Sequence, residues 1–343
     1  MLKRQLMSSA FNRGNYYTYN IMLGSACNWK CPYCIQTPQV AKQADPNFFC
    51  DRLIDHLQKT QRLDKINTFC FWGGEPLLYY KSIEIILNRL IDIVPIRDWI
   101  RISSNGSLLT EQNYNLFNQY PIKFEISYHE GQLTDDKWKI TLKINRLIVS
   151  SLITHKVLDW KFYFEKWQRI CDRYGRVIKW FIFPLIYAGN AGSDYALTKQ
   201  DIDQYIDSLR YHLDNDLDNV FYKTAFEGLI YDCSSKGLNQ YTNYCYNEKS
   251  IAIDLNGNRY SCHHDYSKEV VVGNIFNSIP IYWQPLVKQY CSECKAYPIC
   301  VGGCFRNKDQ TTWCYYYQKI WDLLQLIKTE YKQCFSERYI KLI

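Results

Sequence analysis

Much that would classify a protein quickly is missing from this sequence. Its first residues, Met1 to Phe11, include Lys3 and Arg4 but neither the apolar core nor the small-residue cleavage site of a secretory signal, so export is not implied. The longest apolar stretches, Trp180 to Ala188 among them, fall far short of what a bilayer span needs. No run of five like charges occurs. The 41 basic and 34 acidic residues leave a formal +7 with no clustered patch, which favours a mixed solvated surface over a nucleic-acid or membrane partner. There is no low-complexity tract and no repeat of solenoid period. The expectation is a soluble, cytoplasmic chain whose 343 residues, 47% of them apolar, suffice for one full domain and a smaller appended one.

Cysteine, by contrast, is abundant. Fifteen cysteines in a chain without an export signal argue against a disulfide framework, because a reducing compartment keeps thiols free, and metal ligation is the natural alternative. Their placement is uneven. Cys27, Cys31 and Cys34 form one group; Cys245, Cys262, Cys291, Cys294, Cys300, Cys304 and Cys314 form another; Cys50, Cys70, Cys171, Cys233 and Cys334 are scattered.

Between the two groups the chain reads as repeated strand–helix units, which favour a parallel sheet. Strands are expected at Tyr17 to Leu23, Asn67 to Trp72, Ile100 to Ser103, Ile122 to Tyr128, Arg146 to Ile153 and Val177 to Ile186, and helices at Ser82 to Ile93, Thr110 to Tyr120 and Leu158 to Tyr174. Apart from the fifth of these strands, Asp135 to Lys156 is ambiguous. Six units with right-handed crossovers curl into a partial (β/α)6 barrel of the α/β class, and the strands' C-terminal ends share one mouth. Gly189 to Ser193 reads as a linker, and Thr198, with Asp201 three residues on, opens a capped helix to Leu213. The divisions expected are 1–16 as an extension, 17–190 as the barrel, 191–244 as linker and bridging helices, 245–314 as a cysteine-rich module, and a closing helix within 315–343.

The spacing Cys27-x3-Cys31-x2-Cys34 follows the first strand directly. A loop of that length wraps three thiolates round one face of an iron–sulfur cubane and leaves one iron open, whereas structural zinc and ordinary ferredoxin clusters want four protein ligands. The bland alternative has Cys50 completing a zinc site. A second element, Gly73-Gly74-Glu75-Pro76, ends the second strand; its glycines permit close backbone approach to a ligand, and its carboxylate suits an ammonium group. Ser103-Ser104-Asn105-Gly106 and Ser127-Tyr128-His129-Glu130 end the third and fourth strands and bring hydroxyl and amide groups to the same mouth; each alone also reads as an ordinary turn.

With Tyr33 before its third cysteine, this set resembles the radical S-adenosylmethionine superfamily. The resemblance implies that Cys27, Cys31 and Cys34 hold a [4Fe-4S] cluster whose open iron chelates S-adenosylmethionine, that the Gly73–Pro76 motif holds the methionine amino group, and that Ser104, Asn105 and Ser127 lie along the nucleoside. It implies a 5′-deoxyadenosyl radical that abstracts a substrate hydrogen, and a flavodoxin- or ferredoxin-type reductant.

The later cysteines, C245-x11-G257-x4-C262 and C291-x2-C294-x5-C300-x3-C304-x9-C314, resemble the SPASM module of radical enzymes that mature peptides and sulfatases. That resemblance implies one auxiliary cluster on Cys245, Cys262 and Cys304, and a second on Cys291, Cys294, Cys300 and Cys314. No cysteine lies between Cys245 and Gly257, so the first has either an open iron or a ligand from upstream, Cys233; a buried apolar thiol is the other reading of Cys233. The alternative for the whole module is a pair of zinc ribbons. His263, His264 and Asp265 follow Cys262, where sulfatase-maturing relatives carry a catalytic aspartate; a solvated segment is the competing reading. The expected activity is oxidation or cross-linking of a peptide or protein with auxiliary clusters as electron acceptors. Formylglycine formation on a sulfatase, and dehydrogenation or epimerisation of a small molecule, are the alternatives. The first motif begins 26 residues in, which leaves no room for an N-terminal peptide-binding domain and points to a separate leader-recognition protein or direct binding.

Overall fold

The computed structural model describes residues 16–36, 44–96, 98–128, 133–176, 178–185, 187–188, 191–238, 249–262, 264, 271–277, 291, 293–304 and 306–343. Six strands alternate with helices along the chain: β1 (Tyr17–Met22), α1 (Pro46–Lys59), β2 (Ile66–Trp72), α2 (Tyr80–Leu90), β3 (Ile100–Ser104), α3 (Glu111–Gln119), β4 (Ile122–Ser127), α4 (Asp135–Thr141), β5 (Leu147–Ile153), α5 (Trp160–Tyr174) and β6 (Lys179–Pro184). The remainder comprises α6 (Lys199–Asn215), α7 (Val220–Leu238), β7 (Ser250–Asp254), β8 (Asn258–Tyr260), β9 (Val271–Asn274), α8 (Tyr297–Cys300), α9 (Gln310–Glu330) and α10 (Glu337–Ile340). Among the described residues no helix is long and apolar enough to cross a membrane.

The strands lie in the order β6-β5-β4-β3-β2-β1-β7-β8-β9. β1 to β6 are parallel and never reverse direction across the sheet, which is barrel topology rather than the doubly wound kind. The sheet does not close on itself. The free edge of β1 takes β7 in parallel, from Thr18 opposite Ser250 to Met22 opposite Asp254, and β8 and β9 add on antiparallel. The short C-terminal strands expected of a separate small module thus continue the barrel sheet.

Local chemistry explains the elements. In β4, Ile122, Phe124 and Ile126 are buried while Lys123, Glu125 and Ser127 alternate with them on the other face, the period-2 pattern of a strand. The second face is polar yet enclosed, and burial together with the neighbouring Arg101 pushes the Lys123 ammonium down to about 8. β2 is buried over Ile66–Phe71 with no alternation, as an interior parallel strand should be. α1 occupies a stretch to which the sequence reading assigns nothing, although its start is marked: the Asp45 carboxylate accepts from Asn47 N, Pro46 stands in the first turn, and Phe49, Leu53 and Leu57 form its buried stripe. α4 and the following β5 divide the ambiguous stretch between them. The Thr198–Asp201 capping box of α6 is present with both hydrogen bonds. α9 begins at Gln310, upstream of the expected start, so Cys314 stands on its first turns.

α5, α6, α7 and α9 share an aromatic core in which Trp160 touches Phe164, Tyr205 and Phe226 at centroid distances of 5.7, 6.4 and 4.8 Å. Gly228 brings α7 onto β6, since a Cβ there would lie 3.1 Å from the Phe181 ring. His212 of α6, 2% exposed, is hydrogen-bonded at both ring nitrogens, at 2.7 Å to Asp216 and 2.9 Å to Asp159, the cap of α5, and its ring packs 4.4 Å from Tyr222 of α7. His212→Phe keeps the ring contact and removes both bonds, so it should lower stability by about 1–2 kcal/mol in thermal or denaturant unfolding; an unchanged midpoint would show that the polar bridge is idle.

Candidate functional site

The site grows from the C-terminal ends of β1, β2 and β3. β1 delivers the chain to Gly24, and the next residues run against the exit of β2: Gly74 N donates to Gly24 O at 2.9 Å and Glu75 N to Ala26 O at 2.8 Å. The two glycines are required by that contact. A Cβ on Gly73 would sit 2.7 Å from Gly24 O, and one on Gly74 would sit 2.3 Å from Ala26 O and 2.5 Å from Ser25 O. Close approach was expected toward a ligand; here the partner is the backbone that leads into Cys27. Tyr79 fixes the same loop, its hydroxyl accepting from Ala26 N at 2.9 Å.

Glu75 is 1% exposed. Its Oε1 accepts from Leu77 N at 2.9 Å and from the Ser104 hydroxyl at 2.6 Å, and its Oε2 accepts from Asn105 N at 2.8 Å. Burial raises its pKa above the usual carboxylate value, while these donors work the other way. A carboxylate offers about four acceptor directions, so one remains on Oε2 for an ammonium group. The primary task of Glu75 is to join the ends of β2 and β3, and Pro76 beside it is buried as it opens a short 3-10 turn.

Asn105 extends the join to the cysteine loop. Its Nδ2 donates to Asn28 Oδ1 at 2.9 Å, and the Asn28 Nδ2 donates to Ser107 Oγ at 2.9 Å. Asn28 and Ser107 escape the sequence reading, although Asn28 lies inside the cysteine motif. Cys27 and Cys34 are exposed and Cys31 half-buried, with a turn closed by Cys34 N on Cys31 O at 3.0 Å and Trp29 N 3.4 Å from Cys27 Sγ. Although Cys27 and Cys34 reach the surface, partial desolvation by the surrounding loop raises all three thiol pKa values. Tyr33 is held edge-on against Tyr195 at 5.6 Å, and Gly192 N donates to Pro32 O at 2.9 Å. The stretch read as a linker therefore braces the cysteine loop, a role no sequence signal announces. Ser127 is half-buried at the end of β4, opposite Ser150.

In the C-terminal third, Cys262 is buried, His264 N lies 3.4 Å from Cys262 Sγ, and the His264 ring meets Trp72, the last residue of β2, at 4.9 Å. That contact brings His264 to the end of β2. Burial pushes His264 down to about 4, so its imidazole is neutral near neutral pH and a weaker base than expected. Cys245, His129, Glu130, His263 and Asp265 lie outside the described residues. Cys233 is 2% exposed on α7 and is flanked electrostatically by Tyr205 and Tyr316, the surroundings of a core thiol.

Cys294, Cys300 and Cys314 are brought round the first turns of α9. Gln318 Nε2 stands 3.9 Å from Cys294 Sγ, and a Cβ on Gly303 would lie 3.5 Å from Cys300 Sγ and 3.0 Å from the indole of Trp313, the neighbour of Cys314. Cys291 is joined by Cys294 N donating to its carbonyl at 3.2 Å. The turn from Cys300 to Cys304 passes through Val301, Gly302 and Gly303 at φ of 50°, 86° and 70°; left-handed backbone is costly for a β-branched residue such as Val301. Among the described residues no three His, Cys, Asp or Glu side chains converge on one metal ion. A cubane makes a different demand, because its thiolates bind separate irons and stand farther apart.

The site is thus a partial barrel whose first strand ends in a loop of three cysteines, latched by a buried glutamate. Residues 21–189 match the model of the Radical SAM superfamily. A curated relative, molybdenum cofactor biosynthesis protein 1 of Dictyostelium discoideum, is 32% identical over 111 residues, which is 32% of this chain; the chain spans 17% of that relative's length. Among solved structures, anSMEcpe with bound AdoMet superposes with a TM-score of 0.67 at 14% identity over 95% of this chain and 98% of that one. The same protein with AdoMet and the Cp18Cys peptide gives 0.63 at 15% identity over 92% and 99%. Streptococcus suis SuiB bound to its precursor peptide SuiA gives 0.60 at 15% identity over 87% and 74%. At these identities the likeness is one of fold, and it extends through the C-terminal, cysteine-rich part.

Gly74→Ala places a methyl group against two carbonyl oxygens that cannot yield without moving the cysteine loop. It should cut iron retained at the N-terminal cluster several-fold while leaving the far-UV spectrum native; full iron content in the variant would show that the contact is not needed.

Proposed function

We propose that this protein modifies a peptide or protein substrate by radical chemistry, oxidising or cross-linking it. The observation that carries the reading is the convergence of the Cys27–Cys34 loop, the β2 and β3 ends and His264. S-adenosylmethionine bound at the cluster supplies a 5′-deoxyadenosyl radical, which takes a hydrogen atom from the substrate.

The chain's own residues divide the remaining work. Glu75 Oε2, with its one free acceptor direction, receives the amino group of S-adenosylmethionine, while Tyr33 and the Gly73–Pro76 turn shape that end of the site. Ser104, Asn105 and Ser127 line the nucleoside end. The His263–Asp265 segment accepts the proton that leaves as the substrate is oxidised. Cys291, Cys294, Cys300 and Cys314 hold one auxiliary cluster, and Cys245, Cys262 and Cys304 the other. Residues 17–190 form the barrel, 191–244 the bridging helices and 245–314 the auxiliary module, framed by 1–16 and 315–343. Supporting the peptide class is that both anSMEcpe and SuiB were solved with peptides bound. A flavodoxin- or ferredoxin-type reductant and a separate leader-recognition protein complete the scheme, and the reaction belongs in a reducing cytoplasm.

Anaerobically reconstituted protein should hold about eight to twelve irons, set by two or three cubanes. Changing Cys27, Cys31 and Cys34 together to Ala should abolish 5′-deoxyadenosine formation and keep about four to eight; loss of all iron would merge the sites, and zinc in place of iron would remove the auxiliary clusters. Co-expression with a candidate precursor peptide should give a product lighter by the mass of two hydrogens. Turnover of a free sugar or nucleoside with no peptide accepted would transfer the chemistry to small molecules.

A further inference from the structure

Trp313 raises a question that packing alone does not answer. Its indole is 6% exposed, stacked on Tyr316 at 5.7 Å and edge-on to Tyr317 at 5.3 Å, yet Nε1 is a buried donor with no acceptor among the described residues. Leaving such a donor unpaired costs about 1–3 kcal/mol, and a Phe would stack as well without that cost. The surroundings of Nε1 are informative. The space that a Cβ on Gly303 would fill is bounded by Trp313 Nε1 at 3.3 Å and Cys300 Sγ at 3.5 Å. Gly303 itself is at φ +70°, so that space is kept clear twice over, by geometry and by residue type.

Farther along α9, Gln318 repeats the arrangement: its Nε2 donates toward Cys294 Sγ at 3.9 Å. α9 therefore carries Cys314 beside two side-chain N–H groups, that of Gln318 reaching Cys294 Sγ and that of Trp313 unpaired at the edge of the space that Cys300 Sγ also borders. Hydrogen bonds to cluster sulfurs stabilise the reduced, more negative state and raise the reduction potential.

We propose that Trp313 and Gln318 are positioning and tuning residues of the second auxiliary cluster, their N–H groups donating to its sulfurs and raising its reduction potential. The inference rests on the assignment of that cluster to Cys291, Cys294, Cys300 and Cys314. It goes further in naming what sets the cluster's potential, and it gives Trp313's unpaired donor its acceptor.

The test uses full-length, anaerobically reconstituted protein carrying Cys27→Ala, Cys31→Ala and Cys34→Ala, so that only auxiliary clusters titrate. Trp313→Phe and Gln318→Leu are compared with this background by iron content and by optical and EPR redox titration. The expected result is unchanged iron with one midpoint potential moved negative in each variant, and moved further in the double variant. Iron retained with unmoved potentials would overturn the inference and leave the cluster standing. Iron lost from both variants would also overturn it, because it would assign these side chains a structural role. No iron in the background protein would remove the cluster assignment itself, a failure recognisable before either variant is made.

Discussion

The candidate site depends on how closely two stretches of main chain approach each other. Where β2 ends, Gly73 and Gly74 press against Gly24 to Ala26, at a separation no residue with a Cβ could share. That contact makes the cysteine loop an extension of the sheet. The loop's direction is then set by β1 and β2 together, and the remaining links, Tyr79 to Ala26, Glu75 to Ser104 and Asn105, and Asn105 to Asn28, secure what the glycines permit. Rigid first contacts held by a second layer of hydrogen bonds are what a site for a reactive cofactor requires.

Glu75 shows how one residue serves both fold and site. Its motif marks it as a ligand-binding carboxylate, and the structure first makes it a buried bridge between strand ends. The two roles agree. A carboxylate whose other acceptor directions are occupied holds its remaining one at a fixed angle.

Most of the barrel could be read from the chain because its strands carry strong β-formers in short runs bounded by turn residues, and because parallel strands need helices between them. β1 to β6 and the capped α6 fall where periodicity and capping place them. α1 is the exception, its start marked only by Asp45-Pro46, a pair that also reads as a turn. The three thiolates and the four-residue Gly-Gly-Glu-Pro turn stand out by spacing alone. What spacing does not carry is pairing at a distance: Gly192 on Pro32, Tyr195 on Tyr33, and His264 on Trp72 join residues far apart in the chain through a fold that must exist first. The same holds for β7, Ser250–Asp254, whose pairing with β1 the sequence does not announce.

That neighbour is β1, paired in parallel so that Met22 stands opposite Asp254. Two adjacent strands thus point the same way, one leading to the first cysteine loop and the other to the hairpin before Cys262. Their separation is a sheet repeat of about 4.8 Å, a distance fixed by main-chain hydrogen bonds. That spacing is set by the sheet itself and so does not depend on the length of chain that lies between β1 and β7.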